Sequence, residues 1–209
     1  MLKEKENKIK DLYPVVKRLS DILISVIGLI ILSPLFLIIG FLVIISSPGP
    51  VFFMQERVGK NWRPFRIIKF RTMVEGAPNL GPGISSRNDP RVTPLGKVLR
   101  KFKLDEIPQL INVLKGDMSI VGPRPEVPKY ANYYNKEYSI ILKIKPGISD
   151  YASIAYRNEA SLIPLICDCE KFYLTEIMPK KIDLYNRYLK EIGFLTDLKI
   201  IFATLKAVI

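Results

Sequence analysis

The chain has 209 residues, of which 48% are hydrophobic, and it carries 32 lysines and arginines against 20 aspartates and glutamates. The net charge of +12 favours an anionic partner, such as a phosphorylated substrate, an acidic membrane face or nucleic acid. The absence of histidine excludes the side chain that most often moves protons near neutral pH, and two cysteines are too few for a disulfide framework or a zinc site.

The first predicted element is a membrane segment, residues 22–45, which has no charged residue in 24 positions. That length is sufficient for a helix that crosses a bilayer. Ser33 and Pro34 lie at its centre, where proline favours a kink or break and the Ser33 hydroxyl could bond a carbonyl that Pro34 frees. Both flanks are basic, which the positive-inside rule places in the cytoplasm. The residues therefore leave two alternatives open, a re-entrant helix that bends and returns, and a helix that spans the bilayer.

A β-hairpin is predicted after the membrane segment. Residues 51–59 and 65–73 have the composition of two strands, and residues 60–64 form the turn between them. Residues 75–94 are rich in glycine, proline, serine and asparagine, which predicts a loop. Alternation along the second strand predicts two faces, one with Arg66, Ile68 and Phe70 and the other with Ile67, Lys69 and Arg71.

Helices are predicted for most of the remaining chain. Residues 95–104 form one, and residues 105–115 form a second that has Asp105 as its N-cap, Pro108 in its first turn and Gly116 at its end. A proline-rich turn and a helix over residues 129–144 follow. Residues 194–209 place apolar side chains on one helical face, which could pack on the core, lie in a membrane interface, or do both.

The carboxylate pair Asp105–Glu106 follows a strongly basic stretch. Twelve lysines and arginines lie between residues 57 and 103, opposed only by Glu75 and Asp89. An Asp105 carboxylate among these cations is expected to have a depressed pKa and to be available as a nucleophile without histidine. Arg124, held between two prolines, suits bidentate binding of a phosphate. The alternatives are a capped helix beside a solvated basic face, and a membrane-anchored basic protein that binds anionic lipid or nucleic acid without catalysis.

The motifs of the chain resemble those of the bacterial sugar transferase family, the monotopic phosphoglycosyl transferases that start surface glycans on a polyprenyl carrier. They occur in family order as KRLSDILISVIGLIILSPLFLIIG, GPVFFMQERVGKN, FRIIKFRTM, LRKFKLDEIPQLINVLKGDMSIVGPRPE and KPGIS. The resemblance implies transfer of a phosphosugar from a UDP-sugar to polyprenyl phosphate, with release of UMP. It also implies a Mg²⁺ requirement and a membrane helix that is re-entrant because of the break at Ser33 and Pro34.

Residue roles follow from the same resemblance. Asp105 is expected to be the nucleophile that forms a phosphosugar intermediate and to hold the metal, and Glu106 to assist it and to handle protons. The resemblance gives Arg100, Arg124 and Arg157 as phosphate- and nucleotide-binding residues. Lys69 and Arg71, which lie on the basic second strand, complete that set. Many family members carry Trp-Ala-Gln-Val-Asn-Gly-Arg after the Pro-Gly-Ile loop, whereas this chain has SDYASIAYR before Asn158. The sequence therefore does not indicate which sugar is transferred.

The elements together predict an α/β (α+β) protein. Residues 1–48 are expected to form the basic N-terminal segment and re-entrant membrane helix, and residues 49–209 a mostly helical cytoplasmic catalytic domain with a small β-hairpin. The resemblance and the basic residues that flank the membrane segment predict that the protein lies on the cytoplasmic face of the bacterial inner membrane. UDP-sugar, polyprenyl phosphate and membrane lipid are the expected partners, nucleic acid is not, and a homodimer is compatible with the sequence. No role is assigned to Cys167 or Cys169.

Overall fold

The structure, a computed structural model, describes residues 2–81, 83–85, 89–163 and 169–208, with side chains from residue 13 to residue 207 of these ranges. Arg87 and Cys167 lie outside them. The strands are β1 Phe52–Val58, β2 Pro64–Phe70, β3 Ser119–Val121 and β4 Gly147–Ser149. The helices are α1 Leu2–Ser46, α2 Pro94–Lys101, α3 Gln109–Lys115, α4 Pro128–Tyr133, α5 Asn135–Ile141, α6 Tyr151–Ala155, α7 Glu159–Leu162, α8 Cys169–Phe172, α9 Met178–Glu191 and α10 Phe194–Val208, with a π-helical turn over Tyr173–Ile177.

The first helix, α1, contains a 34-residue segment, Tyr13–Ser46, that is long and apolar enough to cross a membrane by length and composition. The expected break at Ser33 and Pro34 does not interrupt it, since α1 remains helical through Pro34. The Ser33 hydroxyl donates to the carbonyl of Ile30 at 2.8 Å, as expected. Ile30 is four residues before Pro34, so this is the carbonyl that loses its backbone donor to proline. The side-chain bond compensates for that loss, and Pro34, one of the two prolines inside α1, is therefore tolerated.

Two distant parts of α1 are attached to the rest of the protein by polar contacts. In the N-terminal half of the helix, Lys17 Nζ lies 2.6 Å from Asp197 Oδ2 of α10. The Arg18 guanidinium donates to two carbonyls at the C-terminal end of α3, at 2.6 and 2.9 Å. Just beyond the C-terminal end of α1, the Arg71 guanidinium donates to the Ser47 carbonyl at 2.7 Å. The helix is therefore held at two distant points by one domain.

The predicted hairpin is confirmed. Strands β1 and β2 pair antiparallel from Phe52↔Phe70 to Val58↔Pro64, and residues 60–62 form a short 3-10 turn between them. Phe70 is buried against Ile39 and Val43 of α1. Two neighbouring residues of β2, Ile67 and Ile68, are both buried. Strand β2 is therefore covered on both faces. The alternation of its residues does not divide it into a solvent-exposed face and a buried face.

The predicted helix over residues 105–115 is wrong at its start. Helix α2 is capped by Thr93, whose hydroxyl accepts from the Gly96 amide at 2.9 Å, and it ends at Lys101. Asp105 then lies in a 3-10 turn, Leu104–Glu106, and its side chain caps no helix. Pro108 has no amide proton for the Leu104 carbonyl, which accepts from the Ile107 amide instead. Helix α3 consequently begins only at Gln109, and Gly116 ends it in the left-handed conformation, φ 90°, as predicted.

Two further differences concern the C-terminal half. The predicted helix over residues 129–144 is divided into α4 and α5 at Tyr134. The KPGIS segment was predicted as a loop, but it contains β4, which pairs parallel to β3. The predicted C-terminal helix is confirmed as α10. Much of its predicted apolar face is exposed, with Leu195 at 72% and Phe202 at 68%, whereas Ile200 from outside that face is buried.

Candidate active site

A cleft of about 1540 Å³ lies between the hairpin, the connection from α2 to α3, and the turn that follows β3. Its lining continues from the 3-10 turn to Leu110 of α3. Leu110 in turn packs against Gly28 in the middle of α1, where an added Cβ would lie 3.2 Å from Leu110 Cδ1. One residue of the cleft lining, Leu110, thus contacts α1. The seven residues assigned to the site from the sequence all line it: Lys69, Arg71, Arg100, Asp105, Glu106, Arg124 and Arg157.

Glu106 is the carboxylate that binds the nearby cations. Arg124 donates to both of its oxygens, at 3.0 and 2.5 Å, and Lys69 Nζ lies 2.9 Å from Oε1. Burial opposes ionisation of Glu106, but the charges of Arg124 and Lys69 outweigh it and hold the pKa of Glu106 well below its usual value. Glu106 is therefore a fixed anion that orients two cations.

Asp105 has a different environment, although it is the adjacent residue. It is buried, and its Oδ1 atom has no hydrogen-bond partner among the described residues. Burial raises the pKa of Asp105 above its usual value, and the nearby Lys69 opposes this only in part. The expectation of a depressed pKa is thus wrong for this arrangement, since Lys69 and Arg124 pair with Glu106. A buried carboxylate oxygen without a partner is costly unless a ligand or a reaction uses it.

One oxygen near the centre of the cleft, Asp105 Oδ1, has the chemistry of a Mg²⁺ ligand and has no partner among the described residues. No group of three or more acidic, histidine or cysteine side chains that could hold a metal occurs in the part of the chain that the structure describes. Mg²⁺ is commonly bound through one or two carboxylates together with substrate phosphates and several waters. The partnerless oxygen of Asp105 can supply such a carboxylate ligand.

The two arginines expected to bind phosphate at the centre of the site are both fixed by protein contacts. Arg100 Nε donates to Thr72 Oγ1 at 2.9 Å, and its Nη1 donates to Ser85 Oγ at 3.2 Å. The backbone amide of Arg124 donates to Asp150 Oδ2 at 2.8 Å. Its guanidinium pairs with Glu106, so that it is held by a carboxylate as well as by the flanking prolines. Both arginines are rigidly placed at the cleft.

The remaining cations differ from the expectation. The Arg71 guanidinium binds carbonyls at the C-terminal end of α1, which include Ser47 and Pro48, so its donors are used to attach the membrane helix. Arg157 Nη2 donates weakly to the Lys101 carbonyl at 3.4 Å, at the rim of the cleft. Lys69 contacts Glu106 directly. The structure therefore brings Lys69 to the carboxylate pair and gives Arg71 a contact outside it.

Three residues that the sequence reasoning missed contribute to the site. Asp150 is fully buried and holds the Arg124 backbone. Glu126 is buried and accepts from Arg57 at 3.2 Å and from the Tyr173 hydroxyl at 2.7 Å. Lys103 lines the cleft two residues before Asp105. Glu126 directly follows the Pro-Arg-Pro turn, and this position next to the motif could have indicated a site residue. No feature of the sequence indicated Asp150.

Comparisons with known proteins agree with the motifs. The model of the family described as bacterial sugar transferase matches residues 12–209. The chain is 37% identical over 201 residues to the UDP-N-acetylgalactosamine-undecaprenyl-phosphate N-acetylgalactosaminephosphotransferase of Aeromonas hydrophila, which covers 95% of this chain and 44% of that protein. It is 36% identical over 207 residues to the exopolysaccharide production protein ExoY of Sinorhizobium fredii, covering 92% of this chain and 84% of the relative.

A third relative is the UDP-glucose:undecaprenyl-phosphate glucose-1-phosphate transferase of Escherichia coli K12. The two sequences are 38% identical over 192 residues, or 90% of this chain and 39% of the relative. The chain thus spans less than half the length of the Aeromonas and Escherichia proteins and most of the length of ExoY.

Proposed function

Because the chain belongs to the bacterial sugar transferase family, we propose that it transfers a phosphosugar from a UDP-sugar to undecaprenyl phosphate and releases UMP. The product is a polyprenyl-diphosphate-sugar, with which assembly of a surface glycan such as an exopolysaccharide begins. The observation that carries the proposal is the contrast between the two carboxylates, since Glu106 is saturated with cations and Asp105 Oδ1 has no partner in the described chain.

The reaction consists of two displacements at one phosphorus atom. An oxygen of Asp105 attacks the β-phosphorus of the donor, the bond to the bridging oxygen breaks, and UMP leaves with that electron pair. The phosphate of the lipid acceptor then attacks the same phosphorus and displaces the Asp105 carboxylate. Neither step requires histidine, because the leaving groups are a phosphate and a carboxylate.

Glu106 orients cations in this scheme and does not carry protons. Its lowered pKa keeps it ionised at neutral pH, and it holds Arg124 and Lys69 at the edge of the cleft. A fixed guanidinium and ammonium stabilise the charge that develops on the phosphate oxygens without reorganising. This arrangement replaces the proton-handling role expected for Glu106.

The free oxygen of Asp105 is the proposed ligand for Mg²⁺. When bound, the metal supplies positive charge that offsets the repulsion between an anionic nucleophile and a phosphate and favours the ionised form of Asp105. Burial alone raises the pKa of Asp105, so the cations of the cleft and of the bound substrate complex are needed to generate the nucleophile.

The membrane helix is proposed to be re-entrant, with both ends on the cytoplasmic face of the inner membrane. Support comes from the two attachment points, because Lys17 contacts α10 and Arg71 contacts the residues that follow α1, within one domain. A helix that crossed the bilayer would place these points on opposite sides. Basic residues precede and follow the segment, which agrees with a common cytoplasmic location. The acceptor would approach Asp105 from the side of the cleft that Leu110 lines, because Leu110 contacts α1 at Gly28.

The test uses purified full-length protein with Mg²⁺, undecaprenyl phosphate and a panel of UDP-sugars, and it measures released UMP. With a UDP-sugar alone, the wild-type protein should release about one UMP per active site and gain the mass of a phosphosugar on the peptide that contains Asp105. Asp105→Asn should abolish both signals. The matched control is Asp183→Asn, an exposed aspartate of α9 that does not line the cleft, and it should retain wild-type turnover.

Three outcomes discriminate among mechanisms. If UMP release requires both substrates and no adduct forms, direct transfer replaces the covalent route. If Asp105→Asn turns over normally, the assignment of the nucleophile is wrong. If no UDP-sugar is consumed, the protein is better described as a membrane-anchored basic protein that binds anionic lipid without catalysis.

A further inference from the structure

Lys103 has an unusual backbone conformation at the entrance to the carboxylate pair. Its φ is 56° and its ψ is 19°, in the left-handed region that glycine and asparagine adopt easily and lysine does not. The other non-glycine residues with positive φ in the described chain are Asn61 and Trp62, in the hairpin turn. A strained residue at the edge of a reaction centre is often retained for the position that it gives a side chain.

The Lys103 side chain lines the cleft and has no partner among the residues that the structure describes. It lines the same cavity as Asp105, Glu106 and Arg124. No hydrogen bond or ion pair joins its ammonium to any of the residues that the structure describes. The side chain is partly buried. A bound anion would give this ammonium the partner that it lacks among the described residues.

The other cations near the pair are already used. Lys69 and Arg124 both bind Glu106, and Arg100 donates to two hydroxyl groups. The donor's diphosphate brings negative charge that these fixed pairs neutralise only in part. Breakage of the bond between phosphorus and the bridging oxygen concentrates additional charge on the departing phosphate. A free ammonium in the cleft is suited to that charge.

We propose that Lys103 is a further catalytic residue, whose ammonium binds the phosphate that leaves as UMP. This inference rests on the proposed function. In the first displacement an Asp105 oxygen forms a bond to the β-phosphorus, and the electron pair of the broken bond remains on the bridging oxygen. Lys103 stabilises that oxygen as part of a phosphate group and transfers no proton. The left-handed backbone at residue 103 turns the chain between α2 and the 3-10 turn and keeps the side chain within the cleft.

Substitutions separate the charge of Lys103 from its backbone strain. Lys103→Asn removes the ammonium and favours the left-handed conformation, whereas Lys103→Arg keeps the charge and the strain. Lys103→Asn should melt at or above the wild-type temperature, lose at least about tenfold in kcat, and bind UMP at least about tenfold more weakly in the presence of Mg²⁺. Lys103→Arg should retain more turnover than Lys103→Asn. Lys143→Asn, an exposed lysine outside the cleft with the same change of charge, should behave as the wild type.

Failure of this inference can be distinguished from failure of the proposed function. Equal kcat and equal UMP affinity in wild type and Lys103→Asn overturn the role of Lys103, even if the wild type is an active transferase. If the wild type consumes no UDP-sugar, the probe becomes inorganic pyrophosphate with Mg²⁺. Binding to the wild type that is about tenfold weaker in Lys103→Asn then supports an anion site at Lys103, and equal or absent binding overturns it.

Discussion

The two adjacent carboxylates should have opposite effects on stability when each is neutralised. Glu106→Gln leaves Lys69 and Arg124 without their anion, because an amide oxygen cannot replace two charge-assisted pairs. Asp105→Asn removes a buried carboxylate whose Oδ1 atom has no partner in the described chain. We therefore expect Glu106→Gln to destabilise the protein and Asp105→Asn to leave it unchanged or more stable, although both should lose transferase activity.

The size of the Glu106 effect follows from the burial of the three groups. The Glu106 side chain is 10% exposed, Lys69 is 18% exposed and Arg124 is 27% exposed. Removal of one member of a buried ion pair costs about 3–5 kcal/mol, and the partial access of water to Arg124 favours the lower end, about 3 kcal/mol. For a chain of this size that corresponds to a fall in Tm of about 6–12 °C.

The assay is thermal denaturation of both variants and the wild type in the same detergent between pH 3 and pH 7. The folded-state pKa of Glu106 lies well below the ordinary glutamate value of 4.5, so its stabilising contribution is present above pH 4.5 and is lost as the pH falls toward the folded-state pKa. The difference in Tm between wild type and Glu106→Gln should consequently shrink below pH 4.5. The raised pKa of Asp105 acts in the opposite direction, so any gain from Asp105→Asn should grow as the pH rises above 3.8.

An equal or larger loss of Tm in Asp105→Asn than in Glu106→Gln would refute this division of roles. It would mean that Asp105 is the paired anion of the folded protein. A Glu106→Gln difference that persists unchanged at pH 3 would show that packing of the side chain, and not its charge, stabilises the site.

Two further predictions concern the membrane helix and the packing of α2. In a variant with Cys167→Ser and Cys169→Ser, single cysteines are introduced as Lys5→Cys and Lys60→Cys. Both should react with an impermeant reagent from the same side of the membrane, because the contacts of Lys17 and Arg71 attach two distant parts of the α1 region to the rest of the protein. Labelling from opposite sides would contradict the re-entrant proposal. Gly96→Ala should destabilise the protein by about 1–3 kcal/mol or more, because the new Cβ would lie 2.1 Å from the Thr72 carbonyl oxygen. The measurement is the fall in Tm, compared with the control Ala203→Gly at an exposed site. An unchanged Tm would show that α2 can move away from Thr72.

The hairpin and the terminal helices could be predicted because their signals are local. The apolar length of α1, the strand composition around the turn at residues 60–62 and the helical spacing in α10 each lie within one segment. Local spacing did not reveal which face of α10 is covered, since Ile200 is buried by neighbours distant in sequence and Phe202 faces outward. Strands β3 and β4 have three residues each, which is too short for alternation to indicate them.

That the seven assigned residues line one cleft agrees with the sequence, but their pairing could not be predicted. Glu106 meets Arg124 from 18 positions away and Lys69 from 37 positions away, and nothing in the sequence indicates that both select Glu106 over Asp105. The direction of the Asp105 pKa was wrong for the same reason, because the density of lysines and arginines in a sequence does not reveal burial. Arg71 was assigned to phosphate from its place on a basic strand, whereas the end of α1 lies within its reach.

The attachment of α1 at Lys17 and at Arg71 has a consequence for how the two substrates would meet. A domain held at two points along its own apolar helix cannot swing outward to collect a lipid, so the lipid acceptor of the proposed reaction would arrive by lateral diffusion within the leaflet. That encounter would be a two-dimensional process governed by the number of carrier molecules per unit area of membrane. The proposed nucleotide donor would instead arrive in three dimensions from solution, and its volume concentration would govern the encounter.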